Sequence, residues 1–198
     1  MVSVATRDTS FARLVSLAAH DLRTPLATIH GFAQTLVRMG GLDAPRDRYV
    51  DMIAAAARQL SELLDELSLA ARIEAERYEP NLQPVDTLEL AQAAAAQLGE
   101  DRVRIEGAGG EVHVDVGATT RGVSALVQAA LRHGGLDEVT CRAEGRELRI
   151  GPVTASSGEV LLGRDLRDLG AAVAVLLVEA LGGAVVGDGA AVVVRLPG

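Results

Sequence analysis

Within two turns of one predicted helix, the string His20-Asp21-Leu22-Arg23-Thr24-Pro25-Leu26 gathers an imidazole, a carboxylate, a guanidinium and a hydroxyl. His20 is the natural reactive centre. A solvent-exposed imidazole changes charge near neutral pH, so one of its ring nitrogens can be neutral and nucleophilic there. Asp21 stands beside it, where a carboxylate can take a proton from the ring or orient it. Thr24 follows one helical turn later on the same face and brings a hydroxyl into the same small space. Pro25 has no amide to donate to the carbonyl of Asp21, which loosens or bends the helix next to the histidine. A lone surface histidine is usually a solvated polar residue. A proline in mid-helix costs ~3 kcal/mol and is harder to dismiss.

The surrounding pattern says what must hold these groups. From about Thr9 to Met39, Phe11, Val15, Ala18, Leu22, Ile29 and Leu36 recur along one helical stripe, thickened by Leu14, Leu26 and Phe32. Gly40-Gly41 ends that helix, and Asp43-Ala44-Pro45 supplies a start signal for the next. The second helix, about Pro45 to Glu76, repeats the pattern with Tyr49, Ile53, Ala56, Leu60, Leu63, Leu67 and Ala70. Steps of three and four suit a left-handed bundle. With Val15, Leu22, Ile29 and Leu36 as the a positions of a heptad, His20 falls at f, farthest from the seam. The short connection predicts an antiparallel hairpin with about 30 residues per arm, roughly 45 Å long. Such a hairpin buries a narrow seam and leaves its broader apolar face wet. Pairing two hairpins into a four-helix bundle covers it, which predicts a homodimer. The alternative is a bundle completed within the chain by helices of the second half.

Composition narrows the chemistry further. With 48% apolar residues among 198, the chain can pack a core. Only two Phe and two Tyr are present, so that core must rest on Ala, Leu, Val and Ile. All 19 basic residues are arginine, which leaves no lysine for a Schiff base or a P-loop. A formal charge of −8 without an offsetting basic run argues against nucleic acid. The single Cys141 excludes an intramolecular disulfide and a cysteine-rich zinc site, and reads as a small buried hydrophobe. Met1 to Ser10 lacks an apolar signal core. The apolar stretch from Leu169 to Val186 is interrupted by Glu179 and Gly182-Gly183, so it reads as a buried helix rather than a membrane span. The expectation is a cytoplasmic protein without a membrane segment.

Residues 79–84 read as a polar linker with two prolines. It separates a hairpin at 1–78 from a second unit at 85–198. Beyond it the pattern predicts a helix from Thr87 to Leu98 and strands at Val103–Glu106 and Val112–Val116. A helix from Ala118 to His133 and strands at Glu138–Ala143 and Glu147–Ile150 come next. A loop then runs to Gly163, followed by a helix from Asp165 to Leu181 and strands at Ala184–Val186 and Ala191–Leu196. The fold class is therefore a helical hairpin joined to a two-layer α/β sandwich. Asp188-Gly189 fits a tight hairpin turn, and Gly107 to Gly110 reads as another turn. His30 points elsewhere on its helix than His20 and reads as solvated or at the rim, while His113 and His133 lack the paired spacing of a metal site and read as structural.

The string from His20 to Leu26 resembles, without a gap, the H-box of sensor histidine kinases, and residues 9–78 resemble their dimerisation and histidine-phosphotransfer domain. That resemblance implies that His20 is a phosphoacceptor, Asp21 its acid/base or orienting partner, and Thr24 a residue that assists dephosphorylation of a partner. Arg23 then lies near the phosphate or a docked partner, or is simply solvated. The second unit resembles the ATP-binding domain of the same kinases, in Pro84-Val85-Asp86 at its entry and in Gly170 through Gly183 near its end. The family's Mg²⁺-holding Asn corresponds to Ala129, which has no oxygen to offer a hard cation. Its adenine-recognising Asp is missing from Leu148-Arg149-Ile150-Gly151-Pro152-Val153. Its glycine-rich lid is reduced to Asp168-Leu169-Gly170-Ala171-Ala172, and no Asn follows Asn81.

The function expected is histidine phosphotransfer: His20 accepts a phosphoryl group from one response-regulator receiver domain and passes it to another. The chain itself would bind no cofactor or metal, and Mg²⁺ would sit on the receiver. Two alternatives remain: a sensor-kinase core with a divergent but working ATP site, and a dimeric pseudokinase scaffold without phosphate chemistry.

Overall fold

A computed structural model describes residues 9–40, 44–98 and 102–198. Gly41 and Asp43 of the expected interhelical turn lie outside these residues, as do the side chains of Phe11, Leu14, Ala18 and Asp21. The chain divides into two compact units, residues 1–78 and 79–198.

The first unit is a helical hairpin of α1 (Thr9–Met39) and α2 (Ala44–Glu74). Gly40 takes a left-handed backbone, φ +61, and lets the chain leave α1. Pro25 lies inside α1, which remains α-helical on both sides of it. The seam differs from the stripe expected for it. Leu22 and Ile29 are 56% and 51% exposed, whereas Ala19, Leu26 and Ala33 are buried. On α2 the buried positions are Val50, Ala54, Ala57, Leu69 and Ala71, while Tyr49, Ile53, Leu60 and Leu63 are exposed. Small alanines let two helix backbones approach closely, so they occupy the seam. The bulkier residues form the face left wet. Periodicity marks both as one broad apolar surface and does not say which half meets the partner helix.

The second unit has β1 (Leu82–Asp86), α3 (Thr87–Ala96), β2 (Val103–Gly109), β3 (Glu111–Asp115) and α4 (Val116–Gly134). It continues with β4 (Val139–Gly145), β5 (Glu147–Gly151), α5 (Ala155–Leu161), α6 (Leu169–Ala180), β6 (Ala184–Asp188) and β7 (Ala191–Arg195). Five strands form a sheet in the order β2-β4-β5-β7-β6, with β2–β4 parallel and the other pairs antiparallel. β1 and β3 form a separate two-stranded ladder. Strand residues alternate between core and outer face, as Leu148 and Ile150 do against Glu147 and Arg149. The inward set joins Leu90, Leu126, Val127 and Val160 of the helices in one core. The outer face carries arginine–carboxylate pairs, including Arg142–Glu106 at 2.6 Å and Arg149–Asp188 at 2.6 Å.

Several expectations are corrected here. Leu82, Gln83 and Pro84 pair with β3, so part of the expected 79–84 linker belongs to the second unit. The prolines read as linker residues, but an edge strand tolerates them. The stretch expected as a loop before Gly163 contains α5, started by a capping box between Thr154 and Ser157 and held by fully buried Val160 and Leu161. β2 continues through Gly107 to Gly109, so the expected turn shrinks to Gly110. Gly107 has φ +91 and lies so close to the Ala143 carbonyl that a Cβ would collide with it, which explains a glycine within the strand. The last helix begins at Leu169 rather than Asp165, because Asp168 caps it.

Leu126 on α4 is fully buried in this core. Leu126→Ala removes three carbons' worth of packing and is expected to cost about 2–5 kcal/mol, read as a lower midpoint in chemical denaturation of the whole chain.

Candidate functional site

His20 is exposed on α1, one residue after fully buried Ala19. Successive helical residues are turned by about 100°, so burying Ala19 in the seam swings His20 outward beside it. The imidazole opens onto a shallow recess of ≈ 470 Å³ lined by His20, Arg23, Thr24, Ala27 and Thr28. The lining follows helical spacing, because positions three and four apart share a face. The Thr28 hydroxyl donates to the Thr24 carbonyl at 3.1 Å.

Of the sequence-derived site residues, the structure brings His20, Arg23 and Thr24 to this one recess. Asp21 follows His20 in α1, but its side chain lies outside the described residues. Arg23 also reaches across the hairpin: its Nη2 donates to Oδ1 of Asp65 on α2 at 2.8 Å. Asp65 was not legible in the sequence, since the pairing register of the two helices is needed to place it opposite Arg23. His30 is half-buried, and its Nδ1 is buried without a hydrogen-bond partner among the described residues.

In the second unit, Ala129 is fully buried in α4. Three and four residues on, the last turn of α4 supplies Arg132 and His133 to a different group. Arg132 Nη1 donates to Asp168 Oδ2 at 3.0 Å, and His133 Nε2 lies 3.0 Å from the same oxygen. The other oxygen, Oδ1, accepts from the Ala171 amide at 3.1 Å and caps α6. The Asp168 side chain is only 8% exposed. A helix N-terminus with two cationic or donor side chains is a natural anion site, and here a carboxylate of the chain fills it. His133 thus has the structural role expected of it.

Cys141 is buried, and desolvation pushes its thiol up to about 12. A thiol so placed is not a nucleophile at neutral pH. Among the described residues, no three His, Cys, Asp or Glu side chains are grouped to hold a metal ion. No described helix is long and apolar enough to cross a membrane.

Comparison with known proteins joins this geometry to a family. Residues 12–76 match the His Kinase A (phospho-acceptor) domain. The chain is 33% identical over 175 residues to the histidine protein kinase DivJ of Caulobacter vibrioides, covering 80% of this chain and 28% of DivJ. It thus spans under a third of the length of the curated relatives it matches. Among solved structures it resembles full-length ShkA in complex with AMPPNP, at TM-score 0.67 and 23% identity, over 92% of this chain and 44% of ShkA. It also resembles the histidine kinase AdeS of Acinetobacter baumannii, at TM-score 0.58 and 18% identity, over 90% of this chain and 97% of AdeS. At these identities the two likenesses speak for the fold: a helical hairpin and an α/β domain like the ATP-binding domain of histidine kinases.

Asp168→Ala strips the cap from α6 and leaves His133 without its acceptor. The expected cost is about 1–3 kcal/mol, measured as a lower denaturation midpoint. Asp168→Asn keeps an oxygen for the Ala171 amide and is expected to recover part of the loss. In the native protein Cys141 is expected to resist iodoacetamide at pH 8 and to react once denaturant is added.

Proposed function

The chain is a histidine-kinase-type protein of two-component signalling, and from that premise we propose that it works as a histidine phosphotransferase rather than as an ATP-driven autokinase. His20 receives a phosphoryl group from an aspartyl phosphate on one response-regulator receiver domain and delivers it to the aspartate of another. The observation that carries this reading is the exposed His20 at a recess shared with Arg23 and Thr24, on the hairpin that matches a phospho-acceptor domain.

The step asks little of the chain beyond placement, because phosphoryl transfer is governed by positioning and electrostatics. A neutral ring nitrogen of His20 attacks phosphorus. The N–P bond forms as the P–O bond to the receiver's carboxylate breaks, and the aspartate leaves as its anion. The proton on the other ring nitrogen stays there or passes to Asp21. Delivery reverses these bonds on the second receiver. The receiver supplies its own Mg²⁺. Thr24 lines the same recess as His20, and its hydroxyl is the group we assign to dephosphorylation of a partner receiver.

The residues of the second unit fit a magnesium nucleotide poorly. By the resemblance to histidine-kinase ATP-binding domains, the position for an oxygen ligand to Mg²⁺ corresponds to Ala129, which is buried. The single asparagine of the chain, Asn81, lies in the entry segment rather than in α4. At the start of α6, where phosphates could be drawn, the Asp168 carboxylate of the chain itself already takes the Ala171 amide. On this reading the α/β unit binds no nucleotide.

A second reading, a kinase core with a divergent but working ATP site, draws support from the likeness to DivJ over 80% of this chain. The third, a scaffold without phosphate chemistry, would show as full signalling by His20→Ala. We also assign the wet face of the hairpin, with Leu22, Ile29, Phe32, Tyr49, Ile53 and Leu60, to a second copy of the chain. The proposed setting is the cytoplasm.

Labelling separates the first two readings. The purified chain is given Mg-ATP and, separately, phosphorylated receiver domains. Label on His20 from receivers alone is the expected result, with none in His20→Gln; label from ATP alone would overturn the proposal in favour of the kinase reading. For the assembly, Ile29→Glu with Phe32→Glu places charges in the middle of the wet face. Light scattering is expected to show dimer for the natural sequence and monomer for the double variant.

A further inference from the structure

We propose that Asp65 is a positioning residue for the chemistry of His20: it parks the Arg23 guanidinium at the rim of the recess, and Arg23 leaves it for the phosphoryl oxygens once His20 is loaded. This inference rests on the reading of His20 as a phosphoryl carrier and names a residue on α2, which carries no part of the His20–Leu26 string.

Three observations support it. Arg23 and His20 line the same recess and stand three positions apart on one helix face. Among the described residues, the bond to Asp65 engages only Nη2 of Arg23, leaving the remaining N–H groups of the fork for another acceptor. The pair is exposed, with side chains 43% and 64% accessible, and exposed pairs of this kind are weak and readily exchanged. A phosphoryl group brings about two negative charges and three acceptor oxygens. A guanidinium can meet it with two parallel bonds, against the single bond it makes to Asp65. The balance therefore tips from carboxylate to phosphoryl on loading.

Before loading, the Asp65 contact keeps the long Arg23 side chain folded toward α2 in one rotamer region and off the path to the imidazole. After loading, release of Asp65 removes the cross-hairpin ion pair, so the state of His20 is sensed on α2. The planar fork matters for this role, because lysine is a point charge that cannot pair bidentately.

The test loads the full chain with phosphoramidate, whose P–N bond breaks to release ammonia as the N–P bond to His20 forms. Phosphorus NMR reports phosphohistidine, and nitrogen-labelled spectra report the Arg23 Nε–H. In the natural sequence, loading should move the Arg23 signal. Asp65→Asn removes the competitor and should lengthen the phosphohistidine half-life by roughly two- to fivefold, the factor that an exposed ion pair corresponds to. Arg23→Gln should shorten it, and Asp65→Asn should have no effect in the Arg23→Gln background. A merely structural pair would change thermal stability alone. If His20 is loaded but the Arg23 signal stays still, or Asp65→Asn leaves the half-life unchanged or shorter, the exchange is wrong while the carrier role stands. If no N–P signal arises on His20, the carrier reading fails and this inference with it.

Discussion

The close approach of α1 and α2 sets the rotation of each helix about its axis, and the rest of the first unit follows from it. Ala19, Leu26 and Ala33 repeat every seven residues on α1 and meet small or β-branched positions such as Val50, Ala54 and Ala57 on α2. Alanines allow the backbones to come near, and two backbones so packed cannot rotate without clash or loss of contact. With Ala19 fixed inward, the next residue must face out, so His20 is exposed by geometry rather than by its own polarity. The same rotation aims Arg23 at Asp65 and turns Leu22, Ile29 and Phe32 away from α2. A side chain on a rigid helix, turned outward by the packing of its neighbours in the seam, needs no loop to present it.

In the second unit, a buried carboxylate plays the corresponding organising part. Asp168 satisfies an amide of α6, an arginine and a histidine of α4 together. A buried carboxylate is tolerated only with such partners, and here the partners come from two helices that pack side by side through Gly122, Ala174 and Leu177. The network therefore fixes the start of α6 against the end of α4. It also uses the donors that an external anion would need. Stability of the helix pair and access to an anion are in direct competition at this point, and the side chain of Asp168 decides it for stability.

The sequence conveyed a good deal of this. The bounds of α1 were legible because its stripe runs long and ends at a glycine with a left-handed backbone. The strand pairs β4–β5 and β6–β7 were legible from short alternating runs with glycine between them, as Gly145 and Gly189, both at positive φ, illustrate. α5 was missed because Ala155-Ser156-Ser157-Gly158 has weak helix propensity; its existence depends on burial of Val160 and Leu161 against the rest of the unit. The seam of the hairpin was misplaced for a different reason. An apolar surface wide enough for two partners gives one periodic signal, and only side-chain size separates the half that packs closely from the half that stays wet. Asp65 and the Arg132–His133–Asp168 network depend on contacts between residues distant in sequence, which no local pattern encodes.

The two units thus place opposite demands on negative charge. At His20 the recess offers a guanidinium on a loosely held, exposed pair and leaves space beside it. At α6 an internal carboxylate, nearly sealed from solvent, meets the Ala171 amide, Arg132 and His133 together. An exposed pair exchanges at little cost, whereas separating a buried carboxylate from its donors costs far more. An added anion would therefore meet a yielding ion pair on the hairpin and an unyielding one on the α/β unit.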